Sequence, residues 1–221
     1  MAVGLEIERR FLVIGDGWRP HVRWQGELQQ GYLTSTPAGF TLRVRLSHGP
    51  GGLLATPPAA AAQAWLTIKA PAPAVAAAAE PEPAEPEPAE PGAAEPGAAE
   101  PEPTDPEPAE GLVRQEFEYP IPPADARALL ALTQQQLRKR RHGLDLAGGD
   151  WVVDVFEGAN APLVVAEVEL ERPDQPVAVP FWCGLELTGR HELSNAALAH
   201  EPLATWPEPR RLGLLRALGS L

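Results

Sequence analysis

Charged and apolar side chains alternate along much of this chain, and this period of two residues predicts β-strands. In an extended chain, alternate side chains share a face, so each segment has one ionic face and one apolar face. A Thr-Pro-Ala-Gly sequence at 36–39 and a Gly-Gly-Asp sequence at 148–150 are typical of the turns between strands. The predicted strands are residues 5–12, 27–34, 41–46, 65–69, 114–121, 137–142, 151–156 and 163–170.

Three other segments are predicted to be helices: residues 123–132, 194–199 and 210–218. Pro123 and Asp125 are residue types that the first turn of a helix favours. Ser194 and Asn195 are candidate N-caps for the second helix.

The ionic faces of the predicted strands carry equal numbers of acids and bases. A two-layer sandwich would bury the apolar faces and leave the ionic faces in water. A closed sheet with the charges inside would make a polar tunnel, and the C-terminal part of the chain could then cover one mouth. The residue pattern alone leaves both architectures open. The acids are Glu6, Glu8, Glu116, Glu118, Asp154, Glu167 and Glu169, and the bases are Arg10, Arg43, Arg45, Lys69, Arg114, Lys139 and Arg141.

Residues 70–110 form a low-complexity segment of Pro, Ala and Glu. It contains ten Glu, one Asp and neither Lys nor Arg, so it accounts for most of the chain's net charge of −12. With so little apolar surface to bury, it is predicted to be a disordered insert between the fourth and fifth strands of one domain spanning 1–221. The acidic balance therefore gives no argument about the charge of a ligand.

The chain has one cysteine, Cys183, which excludes an internal disulfide and a cysteine-based zinc cluster. No apolar run approaches the roughly 20 residues that a membrane span requires, and the N-terminus shows no apolar leader. These features predict a cytoplasmic protein without membrane or nucleic-acid partners. His21, His48, His191 and His200 lie outside the patterned strands and are predicted to be surface or packing residues, as is Trp65.

The ordered strand motifs resemble those of the CYTH superfamily, the triphosphate tunnel metalloenzymes. The family signature Glu-x-Glu-x-Lys stands here at residues 6–10 as Glu-Ile-Glu-Arg-Arg, with Arg10 in place of the lysine. Similar motifs are Gln-Gly-Tyr-Leu at 30–33, Leu-Arg-Val-Arg at 42–45, Leu-Thr-Ile-Lys at 66–69, Glu-Phe-Glu-Tyr at 116–119, Lys-Arg-Arg-His at 139–142, Val-Asp-Val-Phe at 153–156 and Ala-Glu-Val-Glu-Leu at 166–170.

The resemblance implies an α+β fold, an eight-stranded antiparallel closed β-tunnel with a few helices packed outside. It also implies hydrolysis or cyclisation of a triphosphate with a divalent metal. Likeness to short bacterial members favours an inorganic triphosphatase, a phosphoanhydride hydrolase that converts tripolyphosphate to pyrophosphate and phosphate.

In such a tunnel, basic side chains would clamp the triphosphate oxygens, with arginine offering bidentate geometry. The predicted catalytic residues are Lys69, Lys139 and Arg10, where Lys69 acts either as a phosphate clamp or as a group that positions and deprotonates water. The predicted substrate-binding residues are Arg10, Tyr32, Arg43, Arg45, Lys69, Lys139 and Arg141.

The acids of the tunnel make an all-oxygen site that suits Mg²⁺ or Mn²⁺. The predicted metal ligands are Glu6, Glu8, Glu118, Asp154, Glu167 and Glu169.

Three alternatives stay open. A nucleoside or thiamine triphosphatase and a class IV adenylyl cyclase would use the same tunnel for an organic triphosphate. A non-catalytic module that binds polyphosphate or nucleotide is favoured by Arg10 at the signature lysine position. The sequence leaves open whether the chain forms a homodimer.

Overall fold

The computed structural model describes residues 4–49, 62–71 and 113–217, which form nine β-strands and three α-helices. The eight predicted strands and the three predicted helices are all present, although residue 218 of the third helix lies outside the described ranges. Strand β9 was not predicted. The strands are β1 (Gly4–Val13), β2 (Val22–Ser35), β3 (Thr41–His48), β4 (Gln63–Pro71), β5 (Val113–Pro120), β6 (Gln136–Leu144), β7 (Asp150–Phe156), β8 (Val164–Glu169) and β9 (Cys183–Glu186). The helices are α1 (Pro123–Leu130), α2 (Asn195–His200) and α3 (Glu208–Ala217).

The sheet closes on itself. Strands are hydrogen-bonded in the order β5-β4-β3-β2-β6-β7-β8-β1, and β1 also pairs with β5. Every pairing is antiparallel. Strand β9 lies outside this ring and pairs with Phe11 and Val13 of β1. The prediction of an eight-stranded antiparallel closed tunnel is therefore confirmed, and the two-layer sandwich is wrong.

Helix α1 packs on the outside of the barrel. Ala126 and Leu130 are buried against Val44 of β3, one of the apolar faces that the alternating pattern predicts. The helix lies close to β2 because residue 31 is glycine: a Cβ at Gly31 would lie 2.8 Å from Cδ2 of Leu130 and 3.0 Å from Cγ2 of Thr133. The outward face of β1, β7 and β8 is covered separately, by a cluster that includes Phe11, Trp151 and Trp182.

The C-terminal segment, residues 190–206, packs differently from α1, because it lies against apolar side chains on the inward faces of the strands. Strand alternation turns Leu12, Leu137, Phe156 and Val165 to the same inner face as the charged residues. These inward side chains pack against the C-terminal segment, so part of the barrel interior is apolar and filled. The residues of the C-terminal segment in this apolar cluster are Leu193, Leu198, Ala199, Leu203 and Trp206.

The predicted insert lies almost wholly outside the described residues. Ala70 and Pro71, its first two residues, belong to β4, and β5 begins at Val113. In the part of the chain that the structure describes, no helix combines the length and the apolar character needed to cross a membrane.

Candidate active site

The inner ionic faces of the strands enclose a cavity of about 920 Å³. Because the strands alternate, the short signature on β1 contributes three lining side chains at once. The predicted site residues in its wall are Glu6, Glu8, Arg10, Tyr32, Arg43, Arg45, Lys69, Glu118, Arg141, Glu167 and Glu169.

Two predicted site residues are not in the wall. Lys139 and Asp154 point inward but are fully buried, and they pair with each other. Both oxygens of Asp154 are engaged, since Arg141 donates to Oδ1 at 2.8 Å and to Oδ2 at 2.7 Å. Neither Lys139 as a phosphate contact nor Asp154 as a metal ligand fits this placement. The physical reason is the apolar filling of that end of the barrel, where the Lys139 ammonium lies 5.5 Å from the centre of the Phe156 ring.

One wall of the cavity, from β3, β4 and β5, carries paired cations. Nη2 of Arg45 donates to Oε1 of Glu118 at 2.7 Å, and Lys69 pairs with Glu6. Nη2 of Arg43 is 3.4 Å from Oε1 of Glu116. The Nε atoms of both arginines are buried without a hydrogen-bond partner within the described ranges, while other parts of both side chains line the cavity.

Burial has the largest effect on the pKa values of the ionisable side chains in this wall, and the neighbouring charges add to it or oppose it. Burial, with Arg43 nearby, lowers the pKa of Arg45 to about 10, which still leaves it charged at neutral pH. Burial also opposes the charge on Lys69, but Glu6 and Glu116 outweigh it and raise the pKa of that amine. Burial raises the pKa of Tyr32, so its hydroxyl stays protonated and can donate a hydrogen bond. The wall therefore presents cations and a hydroxyl donor.

The opposite wall, from β1, β6 and β8, is organised around Glu167. Nε of Arg10 lies 3.3 Å from Oε1 of Glu167, and Nη2 of Arg141 donates to Oε2 of Glu167 at 2.6 Å. Burial disfavours the Glu167 carboxylate, but Lys139 and the two arginines outweigh that effect and hold its pKa well below the usual range. Glu167 is therefore ionised and committed to fixing the two guanidinium groups.

Two carboxylates lack such partners. Glu8 and Glu169 are register partners on β1 and β8, and neither forms an ion pair with any residue that the structure describes. Burial, reinforced by Glu6 and Glu167, raises the pKa of Glu8 to about 7. Burial and Glu6 also raise the pKa of Glu169. A buried oxygen of Glu6, Oε2, has no hydrogen-bond partner among these residues either.

These oxygens fit the chemistry of a hard divalent cation, because carboxylates with raised pKa values are stabilised by a positive charge. Across residues 4–49, 62–71 and 113–217, however, no three acidic, histidine or cysteine side chains already converge at metal-binding distances. Glu118 and Glu167 are already engaged by arginine, so the oxygens of Glu8 and Glu169 and Oε2 of Glu6 are the predicted ligand atoms that have no cation partner in the described ranges.

Several lining residues were missed or undervalued by the sequence reasoning. Trp65 was predicted to pack, but it lies in the wall with the guanidinium of Arg45 4.8 Å from its ring centre. Its inward parity with Lys69 was the signal that could have found it. His191, His200 and Asn195 also line the cavity, and strand parity carries no information about them because they come from the C-terminal segment.

Comparison with known proteins adds one sequence relative. No family model matches the chain. Over 100 residues the chain is 34% identical to the inorganic triphosphatase of Acetivibrio thermocellus. The match covers 44% of this chain and spans 64% of the length of that curated relative. The name of the relative agrees with the resemblance given by the strand motifs.

Two solved structures are similar in part. The inorganic triphosphatase NE1496 is 26% identical with a TM-score of 0.48, over 88% of this chain and 93% of that one. A putative adenylyl cyclase from Hippeastrum, described as having a dominant triphosphatase activity, is 14% identical with a TM-score of 0.41, over 76% of this chain and 80% of that one. At these TM-scores the overlays carry no argument about function.

Proposed function

We propose that the chain hydrolyses a triphosphate inside the tunnel, and that the substrate is inorganic tripolyphosphate, which yields pyrophosphate and phosphate. The observation that carries the proposal is the cavity wall itself. It brings Arg10, Arg43, Arg45, Lys69 and Arg141 together around one enclosed space, a charge pattern suited to a linear polyanion. The sequence relative of the same named activity supports the proposal.

Phosphoryl transfer requires positioning and neutralisation of charge more than covalent chemistry from the protein. In the proposed complex, the guanidinium groups of Arg43 and Arg45 bind phosphate oxygens, and the Tyr32 hydroxyl donates a hydrogen bond to another. Arg10 and Arg141, both fixed by Glu167, bind the triphosphate from the opposite wall. Water attacks a terminal phosphorus, the bond from that phosphorus to the bridging oxygen breaks, and pyrophosphate leaves.

We propose that Mg²⁺ or Mn²⁺ is held by Glu8 and Glu169, with Oε2 of Glu6 as a further ligand. When bound, such an ion would neutralise phosphate oxygens and lower the pKa of a water molecule. Lys69 keeps its proton, because Glu6 and Glu116 raise its pKa. We therefore assign Lys69 to clamping phosphate and not to deprotonating water.

The test is phosphate release from tripolyphosphate by the full chain, with Mg²⁺, with Mn²⁺ and with excess chelator. We expect release with at least one metal and none with chelator. Arg43→Ala should lower kcat/KM by at least about 100-fold, because charge-assisted contacts to the substrate are lost. Arg23→Ala is the matched control, since Arg23 pairs with Asp145 on the exposed surface.

The alternatives give different results in the same experiment. Tripolyphosphate binding without turnover in either metal would contradict catalysis and support a non-catalytic module. Faster turnover of ATP or thiamine triphosphate than of tripolyphosphate would assign an organic substrate, and Trp65 in the cavity wall is the residue that could contact its ring. We also propose that the enzyme acts in the cytoplasm, since its one cysteine fits a reducing compartment.

A further inference from the structure

The C-terminal segment contacts two tunnel cations on different strands. Nη2 of Arg10 donates to the backbone carbonyl of Leu193 at 3.0 Å. Nζ of Lys139 donates to Oδ1 of Asn195 at 3.2 Å. Residues 193–195 thus accept hydrogen bonds from β1 and from β6, and Ser194 and Asn195 of this stretch line the cavity.

Lys139 has no surface in the cavity, so it can act only through its neighbours. Its ammonium group donates to Asp154 and Asn195 and lies over the Phe156 ring. Asp154 in turn holds Arg141 through two hydrogen bonds. A chain of contacts therefore runs from Asn195 through Lys139 and Asp154 to Arg141, which does reach the cavity.

We propose that Asn195 is a positioning residue for the reaction, and this inference rests on the proposed triphosphatase function. Its amide oxygen satisfies one N–H of a fully buried ammonium group. If that acceptor is removed, the unsatisfied donor must move toward another oxygen, and the nearest are those of Asp154 that orient Arg141. The C-terminal segment is in this way part of the active site and not only a cover for it.

The first arm of the test is spectroscopic and needs no activity. The chain contains two lysines, Lys69 and Lys139, so protein labelled with ¹³C-lysine gives side-chain signals from these two residues alone. Lys139→Met assigns them. We expect Asn195→Ala to shift the Lys139 Cε signal and to leave the Lys69 signal in place, which serves as an internal control.

The second arm is a double-mutant cycle on tripolyphosphate hydrolysis. Asn195→Ala and Lys139→Met should each lower kcat/KM by about 10-fold, and the double variant should lose no more than the worse single variant, because both break the same chain of contacts. Losses that multiply would mean that the two residues act independently, and would overturn the proposal.

Asn160→Ala is the matched control for simple destabilisation of the same segment. Asn160 is buried, donates to the carbonyl of Leu198 and accepts from the amide of Leu203, and it forms no hydrogen bond with Lys139 or Arg10 in the described ranges. It should lower Tm at least as much as Asn195→Ala while leaving kcat/KM within about twofold. Equal losses of activity in the two asparagine variants would reduce Asn195 to a structural role.

The two proposals fail separately. An unmoved Lys139 signal in Asn195→Ala overturns the positioning role whatever the activity. A wild-type chain that hydrolyses no triphosphate, but whose Lys139 signal shifts in Asn195→Ala, contradicts the proposed function and supports the contact chain.

Discussion

At the scale of single residues, the cavity wall separates its acids into two groups by what they touch. Glu6, Glu118 and Glu167 are neutralised by cations of the wall. Glu8 and Glu169 face each other across neighbouring strands without such a partner among the residues described. Burial disfavours the ionised form of each, and the nearby carboxylate of Glu6 adds to this effect, so both have raised pKa values. In the metal-free protein, ionising these two carboxylates is therefore expected to lower the free energy of unfolding.

Glu8→Gln should stabilise the metal-free protein at about pH 8. The pKa of Glu8 lies above its unfolded value, at about 7, so the folded state holds this proton more tightly than the unfolded state. The contribution of Glu8 to stability therefore falls as pH rises from about 4.5 to about 7, by up to about 3 kcal/mol. Chemical unfolding in chelator at about pH 5 and pH 8 measures it.

The matched control is Glu27→Gln, an exposed acid on β2 that pairs with Arg140. It should leave the pH dependence of unfolding unchanged. If Glu8→Gln unfolded at the same denaturant concentration as the wild type at the higher pH, Glu8 would not carry the cost assigned to it.

Asp154 has a different role, because it is the shared counter-ion of two buried cations. Asp154→Asn leaves the charges of Lys139 and Arg141 poorly compensated, and we expect a loss of about 3–5 kcal/mol in the free energy of unfolding. Asp16→Asn removes an exposed partner of Arg19 and should cost under about 1 kcal/mol. Equal losses in the two variants, measured in urea, would contradict the burial of this network.

At the scale of elements, strand parity predicts which residues face inward, but it does not predict whether the lining of a strand is ionic or apolar along its whole length. Parity placed Arg10 correctly and also turns Leu12, two residues further on, to the inner face. The charged positions alone do not show that the ionic lining becomes apolar along β1 and β6, which depends on Leu12 and Leu137. The position of α2 against that apolar part depends on contacts between distant segments, to which local pattern is blind.

Leu198→Ala tests whether α2 is held by this inner apolar packing. Leu198 is fully buried in the cluster that joins the C-terminal segment to the inward faces of the strands. Its truncation should cost about 2–5 kcal/mol in the free energy of unfolding. Leu132→Ala, at a side chain that is 76% exposed, should change it by less than about 0.5 kcal/mol. Similar values for both in urea unfolding would place α2 outside the packed interior.

At the scale of the whole molecule, the alternation of charged and apolar residues allowed both a sandwich and a closed barrel, and the resemblance of the strand motifs to known tunnel proteins favoured the barrel. Strand parity then predicted most of its lining. It could not predict the enclosure of Lys139, or the contribution of His191, His200 and Asn195. Those depend on where a segment without strand periodicity lies after the barrel has closed. Charge, likewise, is divided between a nearly neutral barrel sequence and an acidic insert that lies outside the described residues.

Replacing residues 72–112 by a short turn should leave the barrel and its proposed activity intact. Pro71 and Arg114 are register partners on the antiparallel strands β4 and β5, so the two ends lie about 5 Å apart and a turn of two to four residues closes them. Tripolyphosphate turnover should stay within about twofold and Tm should not fall, because loop length affects stability only slowly. The replacement also removes eleven acidic residues and no basic ones, so a large rise in isoelectric point verifies it. Loss of turnover with an unchanged Tm would show that the acidic segment takes part in the function of the tunnel.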